Sequence, residues 1–397
     1  MIKVAIVAPY PAANVLPVER IKRRVRYLSG TQHPAPWVHA LCLELGARED
    51  VELRVFAHSR LISRVQHAEK EGVSFTFVPK YEPGRSDPYH LHLPAILQIL
   101  PLLRRFNPDV VHGFGTESAY GLLAVAQKKP GVVFIQGIQE KLAPFYNMPR
   151  IKVAIRKTME RYVVRKADSL IAETSFARGW AQSVSPEANI RVVPHAYTRS
   201  FFAASPDFSR KRVICIGALS QVKGCDTVLK AFALGAKRDP EFFSNAELLF
   251  IGGGTLEEEL KSQARQEGFG EQVRFIGRVP HEQMIYELEN ARLMIIGSRM
   301  DTSPNVITEA HSAAIPVIGS GAGGIPDMID DGSDGFLFDV DDHETAADHL
   351  IRLLHDPSLC KQLGLAGREK VRVLNDPERI ATEHIKLYHE VLTNRRG

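Results

Sequence analysis

The chain reads as an α/β protein made of two doubly wound domains, each on a parallel sheet, and three observations lead there. Short apolar runs alternate with helical patterns over most of its 397 residues, which is the pattern of βαβ units whose sheet is covered on both faces. That length exceeds what one typical core fills, so two domains are expected. The rhythm also breaks once, between Pro194 and Asp207, and restarts with Arg212-Val-Ile-Cys-Ile-Gly217.

Strands of the first series are expected near 4–8, 53–57, 74–78, 110–112, 132–136, 170–172 and 192–194. The second series runs through 212–217, 248–252, 273–277, 293–297 and 316–319, each followed by a helical or turn segment. Gly217, Gly252, Gly253, Gly254, Gly277, Gly297 and Gly319 mark the ends of these runs. In sheets of this kind ligands bind beyond the carboxyl ends of the strands, although tight turns alone also call for glycine there. A last helix over 377–393 has apolar positions at Ile380, Ile385, Leu387, Tyr388 and Val391 and is expected to pack back on the first domain. The expected division is 1–203, 204–376, and a returning helix at 377–397.

With 44% hydrophobic and 24% charged residues, the composition is that of a folded globular protein. A net charge of +4 is too small for this length to indicate nucleic-acid binding, and it suits an enzyme with anionic substrates. Cys42, Cys215, Cys225 and Cys360 are scattered with no CxxC or Cys/His cluster, so neither structural zinc nor a disulfide framework is expected. His311 and Glu309 are two apart and point to different helix faces, so no catalytic metal is expected either. The opening apolar run is short and lacks a signal-peptide pattern, and no run reaches the ~18 residues of a membrane span. The simplest setting is the cytoplasm. There is no Walker motif, no G-x-G-x-x-G and no G-x-S-x-G elbow.

The richest segment is Ser298-Arg-Met-Asp301-Thr-Ser303-Pro304-Asn305-Val306-Ile-Thr-Glu309. Ser303 suits an N-cap and Pro304 a first helical position, which would leave the amides of Asn305, Val306 and Ile307 open to a phosphate. Glu309 falls four residues after Asn305 and shares its face, with Asp301 in the loop ahead. The same residues also suit an ordinary capped helix with an exposed Glu309. Lys223, before Gly224, could set a point charge on a diphosphate, or could be a solvated lysine beside a turn. His112 closes the 110–112 run, where it could donate to a sugar hydroxyl or cap a neighbouring helix.

Two basic stretches stand out. The one from Arg20 to Arg26 lies in a long connection and could take an anionic acceptor. The other, 150–166, has helical spacing and could lie on an anionic membrane face, whereas a solvated charged face is the commoner role of such a helix.

Together these segments resemble the family-four retaining glycosyltransferases with the GT-B fold, the group 1 glycosyl transferases, over nearly the whole chain. The marks that carry the resemblance are Ile216-Gly-Ala-Leu with Lys223-Gly224, Phe250-Ile-Gly-Gly-Gly254, Phe275-Ile-Gly277-Arg278-Val279, the acidic helix segment, Pro316-Val-Ile, Gly323-Gly324-Ile-Pro and Asp331-Gly-Ser-Asp-Gly335. In the first half, Pro108-Asp-Val-Val-His112, Ala167-Asp-Ser-Leu-Ile-Ala and Arg191-Val-Val-Pro-His195 fall at comparable places.

The resemblance implies two Rossmann-like domains facing a cleft, the first taking the acceptor and the second a UDP- or GDP-sugar donor. It implies that Asp301 contacts the transferred sugar and that Glu309 binds the ribose. Lys223 would hold the diphosphate with the amides of Asn305 and Val306 at the Ser303-Pro304 helix start. Gly217 and Gly253 would line the strand exits, and the backbone at Arg278 and Val279 would read the base. Asp301 and Lys223, with His112, are the catalytic candidates.

The chain departs from the family pattern in four places. Asp301 replaces the usual Glu, and Ala218 stands where an arginine is common. Gln136 replaces a histidine, and Gln32 and His33 fall near the usual glycine pair. Gln136 and His33 are the candidates for acceptor or sugar contacts.

The function expected is a retaining hexosyltransferase acting on a saccharide, lipid-linked or small-molecule acceptor. It would need no cofactor beyond the nucleotide sugar as substrate, and peripheral contact with the inner membrane face would be compatible. The alternatives are a nucleotide-sugar epimerase of the same fold and a catalytically silent nucleotide-sugar-binding protein.

Overall fold

The computed structural model describes residues 1–21, 36–80 and 93–395. Packing divides the chain into two units, Met1–Ala196 with Asn375–Gly397, and Tyr197–Leu374. The division falls before the break expected at 203/204, because Phe201 and Ala204 are already buried in the core of the second unit.

The sheet of the first unit has eight strands in the order β3-β4-β2-β1-β5-β6-β7-β8. They are β1 (Ile2–Val7), β2 (Val51–Ser59), β3 (Gln66–Lys70), β4 (Val73–Pro79), β5 (Val110–Phe114), β6 (Gly131–Phe134), β7 (Ser169–Ala172) and β8 (Ile190–Val192). All pair in parallel except β3, an edge strand antiparallel to β4. Its sequence, Gln-His-Ala-Glu-Lys, buries no residue, so no apolar pattern announced it. One face of the sheet packs on Val38, Leu41 and Leu45 of the helix Pro36–Gly46 and on the returning helix Pro377–Asn394. The latter contributes Ile380, Ile385, Leu387, Tyr388 and Val391 to that core. The other face is covered by the helices Leu93–Phe106, Ala119–Val125, Arg150–Lys166 and Ser175–Val184.

The second unit has six parallel strands in the order β11-β10-β9-β12-β13-β14. They are β9 (Arg212–Ile216), β10 (Glu247–Ile251), β11 (Val273–Phe275), β12 (Leu293–Ile296), β13 (Val317–Ser320) and β14 (Gly335–Phe338). Gly319 is not a strand exit: it pairs with Leu337 inside β13, which runs one residue further to Ser320.

Strand order reverses on either side of β9, with β10 and β11 to one side and β12 to β14 to the other. Loops leaving β9 and β12 therefore diverge and open a crevice at the carboxyl ends of those strands, which is where this topology takes its ligands. The corresponding point in the first unit lies between β1 and β5. Among the described residues no helix is long and apolar enough to cross a membrane.

Candidate functional site

Lys223 leaves β9 and Asp301 leaves β12, so the two stand on opposite lips of the second unit's crevice. They meet there as an ion pair, Lys223 Nζ donating to Asp301 Oδ2. Two close backbone approaches hold them. Gly224 sits at φ 57°, and a Cβ on it would lie 1.7 Å from the Gly297 carbonyl oxygen, so the turn carrying Lys223 is pressed onto the end of β12. Gly323, at φ 58°, would likewise put a Cβ 1.9 Å from the Asp301 carbonyl, which accepts from the Gly324 amide at 2.9 Å. Only glycine meets both the left-handed conformation and the contact.

A third tie comes from Arg299, which the sequence reading did not single out. Its amide donates to Val222 O at 2.8 Å and its guanidinium to Gln221 O at 2.7 Å. The same guanidinium grips both oxygens of Asp226, at 2.9 and 2.7 Å, and reaches Asp341 Oδ2 at 3.1 Å. Planar five-donor geometry allows this, and lysine could not reproduce it. Ser320 completes the frame, its hydroxyl donating to Ser298 O at 2.5 Å. An Arg two residues before Asp301 gave no signal in the sequence because its partners lie forty-two or more positions away.

The helix after Asp301 is Asn305–Ser312. Ser303 does not cap it and Pro304 is not its first helical residue. Pro304, at ψ 109°, is itself the N-cap, and the Ser303 hydroxyl turns to Met328 Sδ at 3.6 Å. The extended Pro304 delays the helix by one residue and carries the Ser303 side chain off the helix axis. The Ile307 amide bonds to Pro304 O at 3.0 Å, whereas among the described residues the Asn305 and Val306 amides find no backbone acceptor. Two donors thus remain at the positive end of the helix, an arrangement that favours an anion.

Glu309 is not the exposed residue of an ordinary capped helix, being only 7% exposed. Asn305 Nδ2 donates to its Oε1 at 2.5 Å. Burial pushes the carboxyl up to about 8, with the Asn305 bond opposing that rise.

The exits of β9, β10 and β11 are knitted together. Gly217 N bonds to Ile251 O at 2.9 Å, Gly252 N to Gly277 O at 2.8 Å, and Leu219 N to Gly253 O at 3.2 Å. Gly217, Gly253 and Arg278 therefore share this edge with Lys223. The Arg278 side chain is exposed, while that of Val279 is in the core, which leaves only its backbone for a ligand. Ala218 is exposed, and no charge stands at that position.

In the first unit His112 does not end a strand. It is the middle residue of β5, which continues through Gly113 and Phe114 paired with Val133 and Phe134. It is fully buried, stacks on Phe114 at 4.5 Å, and its Nδ1 lies 2.8 Å from Tyr388 Oη on the returning helix. Burial, then neighbouring His384, holds its pKa well below the usual range. A neutral imidazole in that core cannot touch a ligand beyond the strand ends, so the structure takes His112 out of the catalytic candidates. Gln136 is half-buried just past β6, and His33 lies outside the described residues.

The residue missed here is Glu117, just past β5 at the first unit's own switch point. It is largely buried against Gly115, and its carboxyl is pushed up to about 7 by burial, offset by a backbone hydrogen bond and by Arg156. Nearby Glu160, fully buried and pushed up to about 8, accepts from the Gln139 and Glu140 amides at 2.8 and 3.0 Å and so caps a short helix.

Residues 198–370 match the sequence profile described as glycosyl transferases group 1, and residues 36–199 that described as glycosyltransferase family 4. The two matches together run from residue 36 to residue 370, and they support a group 1 glycosyl transferase. Among curated members of wide phylogenetic spread, the chain is similar to a D-inositol 3-phosphate glycosyltransferase of Corynebacterium diphtheriae, 30% identical over 236 residues, covering 54% of each chain. A sulfoquinovosyl transferase of Arabidopsis thaliana is 27% identical over 311 residues, 71% of this chain and 58% of that one. The alignments thus span little more than half of those relatives.

Among solved structures, sucrose-phosphate synthase from Thermosynechococcus elongatus superposes with a TM-score of 0.79 at 16% identity, over 99% of this chain and 100% of that one. Anabaena HepE in complex with UDP-glucose gives 0.71 at 14% identity, over 99% and 100%. At such identities the likeness is one of fold, and that fold is GT-B.

Proposed function

We propose that the protein transfers a hexosyl unit, with retention, from a UDP- or GDP-sugar to a saccharide, lipid-linked or small-molecule acceptor. The observation that carries this reading is the Lys223–Asp301 pair beside the open Asn305 and Val306 amides, at the switch point of the second sheet. Support also comes from relatives whose names describe glycosyl transfer and from a neighbour of the same fold solved with UDP-glucose.

In this reading the diphosphate lies across the helix start, taking the two amides and the Lys223 ammonium. Asp301 then receives sugar hydroxyls in place of Lys223. Glu309 accepts from the ribose hydroxyls, and the exposed backbone at Arg278 borders the base. The bond from the anomeric carbon to the phosphate oxygen breaks as that carbon bonds to the acceptor oxygen on the same face. The acceptor proton passes to the departing phosphate oxygen, so the protein supplies no nucleophile.

The protein contributes position and charge. The helix end adds up to ~2 kcal/mol in a partly buried setting, and Lys223 offsets the negative charge that grows on the leaving group. Glu117 and Gln136, at the strand ends of the first unit, are the candidates for acceptor contact.

Sugar transfer and nucleotide binding in Lys223→Ala and Glu309→Gln test this assignment. Lys223→Ala is expected to slow turnover roughly a hundredfold, as does loss of one donor to developing charge. Glu309→Gln is expected to weaken nucleotide affinity about tenfold, because the amide group cannot accept ribose hydrogen bonds at both of its heavy atoms. Unchanged turnover and affinity in both variants would sink the assignment.

A further inference from the structure

The helix Arg150–Lys166 buries only Met159, Glu160, Val163 and Val164, so its first nine residues contribute nothing to the core. At 100° per residue, Ile151, Ile155, Thr158 and Tyr162 fall on one narrow strip, opposite Glu160. That strip is open. Ile151 is 61% exposed and Tyr162 47%, Ala154 and Thr158 are exposed, and Ile155 is half-buried. Just ahead of the helix, Tyr146 is 45% exposed.

Apart from Lys152, the cations of this helix divide into two sets. Arg156, Lys157 and Arg161 turn toward the short helix Gln139–Leu142, where Arg156 donates to Gln139 at 3.0 Å and the other two pair with Glu140 at 2.8 and 3.2 Å. Arg150, Arg165 and Lys166 are exposed and flank the apolar strip at its two ends. The helix has one acid, Glu160, and it is buried with both oxygens engaged. A solvated charged face would place polar residues at 151, 155 and 162, and a nucleic-acid surface would have no use for exposed isoleucine. An apolar centre bordered by cations, with no exposed acid, is the pattern of a helix lying in a membrane interface.

We propose that this face docks on an anionic phospholipid bilayer. The side chains of Ile151, Tyr162 and Tyr146 enter the headgroup boundary, and Arg150, Arg165 and Lys166 lie against lipid phosphates. The proposal goes beyond the transfer reaction, and its test uses neither donor nor acceptor, so its failure would leave the reading of the Lys223–Asp301 site untouched.

The test is sedimentation of the full chain with vesicles of phosphatidylcholine alone or mixed with phosphatidylglycerol. Binding is expected to the mixed vesicles, weakened by salt. The double variant Arg165→Glu, Lys166→Glu is expected to lower partition at least about tenfold, since each basic residue near an anionic surface is worth several-fold. Ile151→Asp is expected to lower it as well, with the melting temperature unchanged in both variants because the positions are exposed. Equal or absent partition to the two vesicle types, wild-type binding by the variants, or retention on single-stranded nucleic acid in place of vesicles would each overturn the proposal.

Discussion

At the scale of single residues, the most consequential reassignment is His112. Truncating it to alanine would leave a cavity under Phe114 and strip the Tyr388 hydroxyl of its partner. His112→Ala is expected to destabilise the protein by about 3 kcal/mol while leaving nucleotide affinity unchanged, and denaturant titration beside a nucleotide-binding isotherm would separate a core histidine from a ligand contact. The sequence could not show this. Val-Val-His-Gly-Phe reads as a strand stopping at the glycine, whereas Gly113 and Phe114 stay paired to β6, and a two-residue shift moves a side chain from a strand end into a core. Asp301, Glu309 and Lys223 stood out in the sequence because they sit in marks of fixed order and spacing, and the structure brings Lys223 and Asp301 together. Ser303 was misread as a cap because the ψ of the following proline, which sets where the helix begins, is not written in its neighbours.

At the scale of elements, the turn 220–224 and the loop 298–301 behave as one piece, joined by Arg299, Gly224 and Gly297. Arg299→Ala would free the turn that presents Lys223 and leave Asp226 and Asp341 without their shared cation. It is expected to cost about 2 kcal/mol of stability, discounted for partial exposure, and to weaken nucleotide binding although Arg299 is given no contact with the nucleotide. Arg299→Lys restores charge but not the planar fork and is expected to recover only part of both losses. Thermal melts with and without added nucleotide would read the two effects separately, and a variant that loses stability with full nucleotide affinity would show that the clamp does not position Lys223. The sheets themselves were legible from apolar runs, except β3, whose polar edge sequence buries nothing.

At the scale of the whole molecule, several buried groups tie stability to pH in opposite directions. Glu117, Glu160 and Glu309 are raised by burial to about 7, 8 and 8. The folded state therefore holds more protons than the unfolded one above the ordinary carboxyl range, and stability falls as pH rises through 7 to 8. His311 and His384, lowered by burial to about 4, act the other way, since the unfolded chain takes up their protons first as pH drops below the ordinary histidine value. Below that value the two sets oppose each other, and above it only the carboxyls act. The melting temperature is expected to decline between about pH 6.5 and 8.5, and Glu309→Gln and Glu160→Gln should each flatten the decline. A wild-type profile that is flat or rising across that window would contradict it.

The same molecule has a consequence for the order in which it is made. The unit Tyr197–Leu374 is continuous in the chain, whereas the unit that begins at Met1 is closed by Asn375–Gly397, whose Tyr388 and Leu387 fill the core beneath β1 and β5. On a ribosome, where the amino-terminal part of a chain emerges first, the second unit has all its residues in hand while the first still lacks one wall. The half of the protein synthesised first is thus the half that finishes folding last, and until the final helix emerges, His112 and its apolar neighbours lie open to whatever chaperone or misfolded partner reaches them.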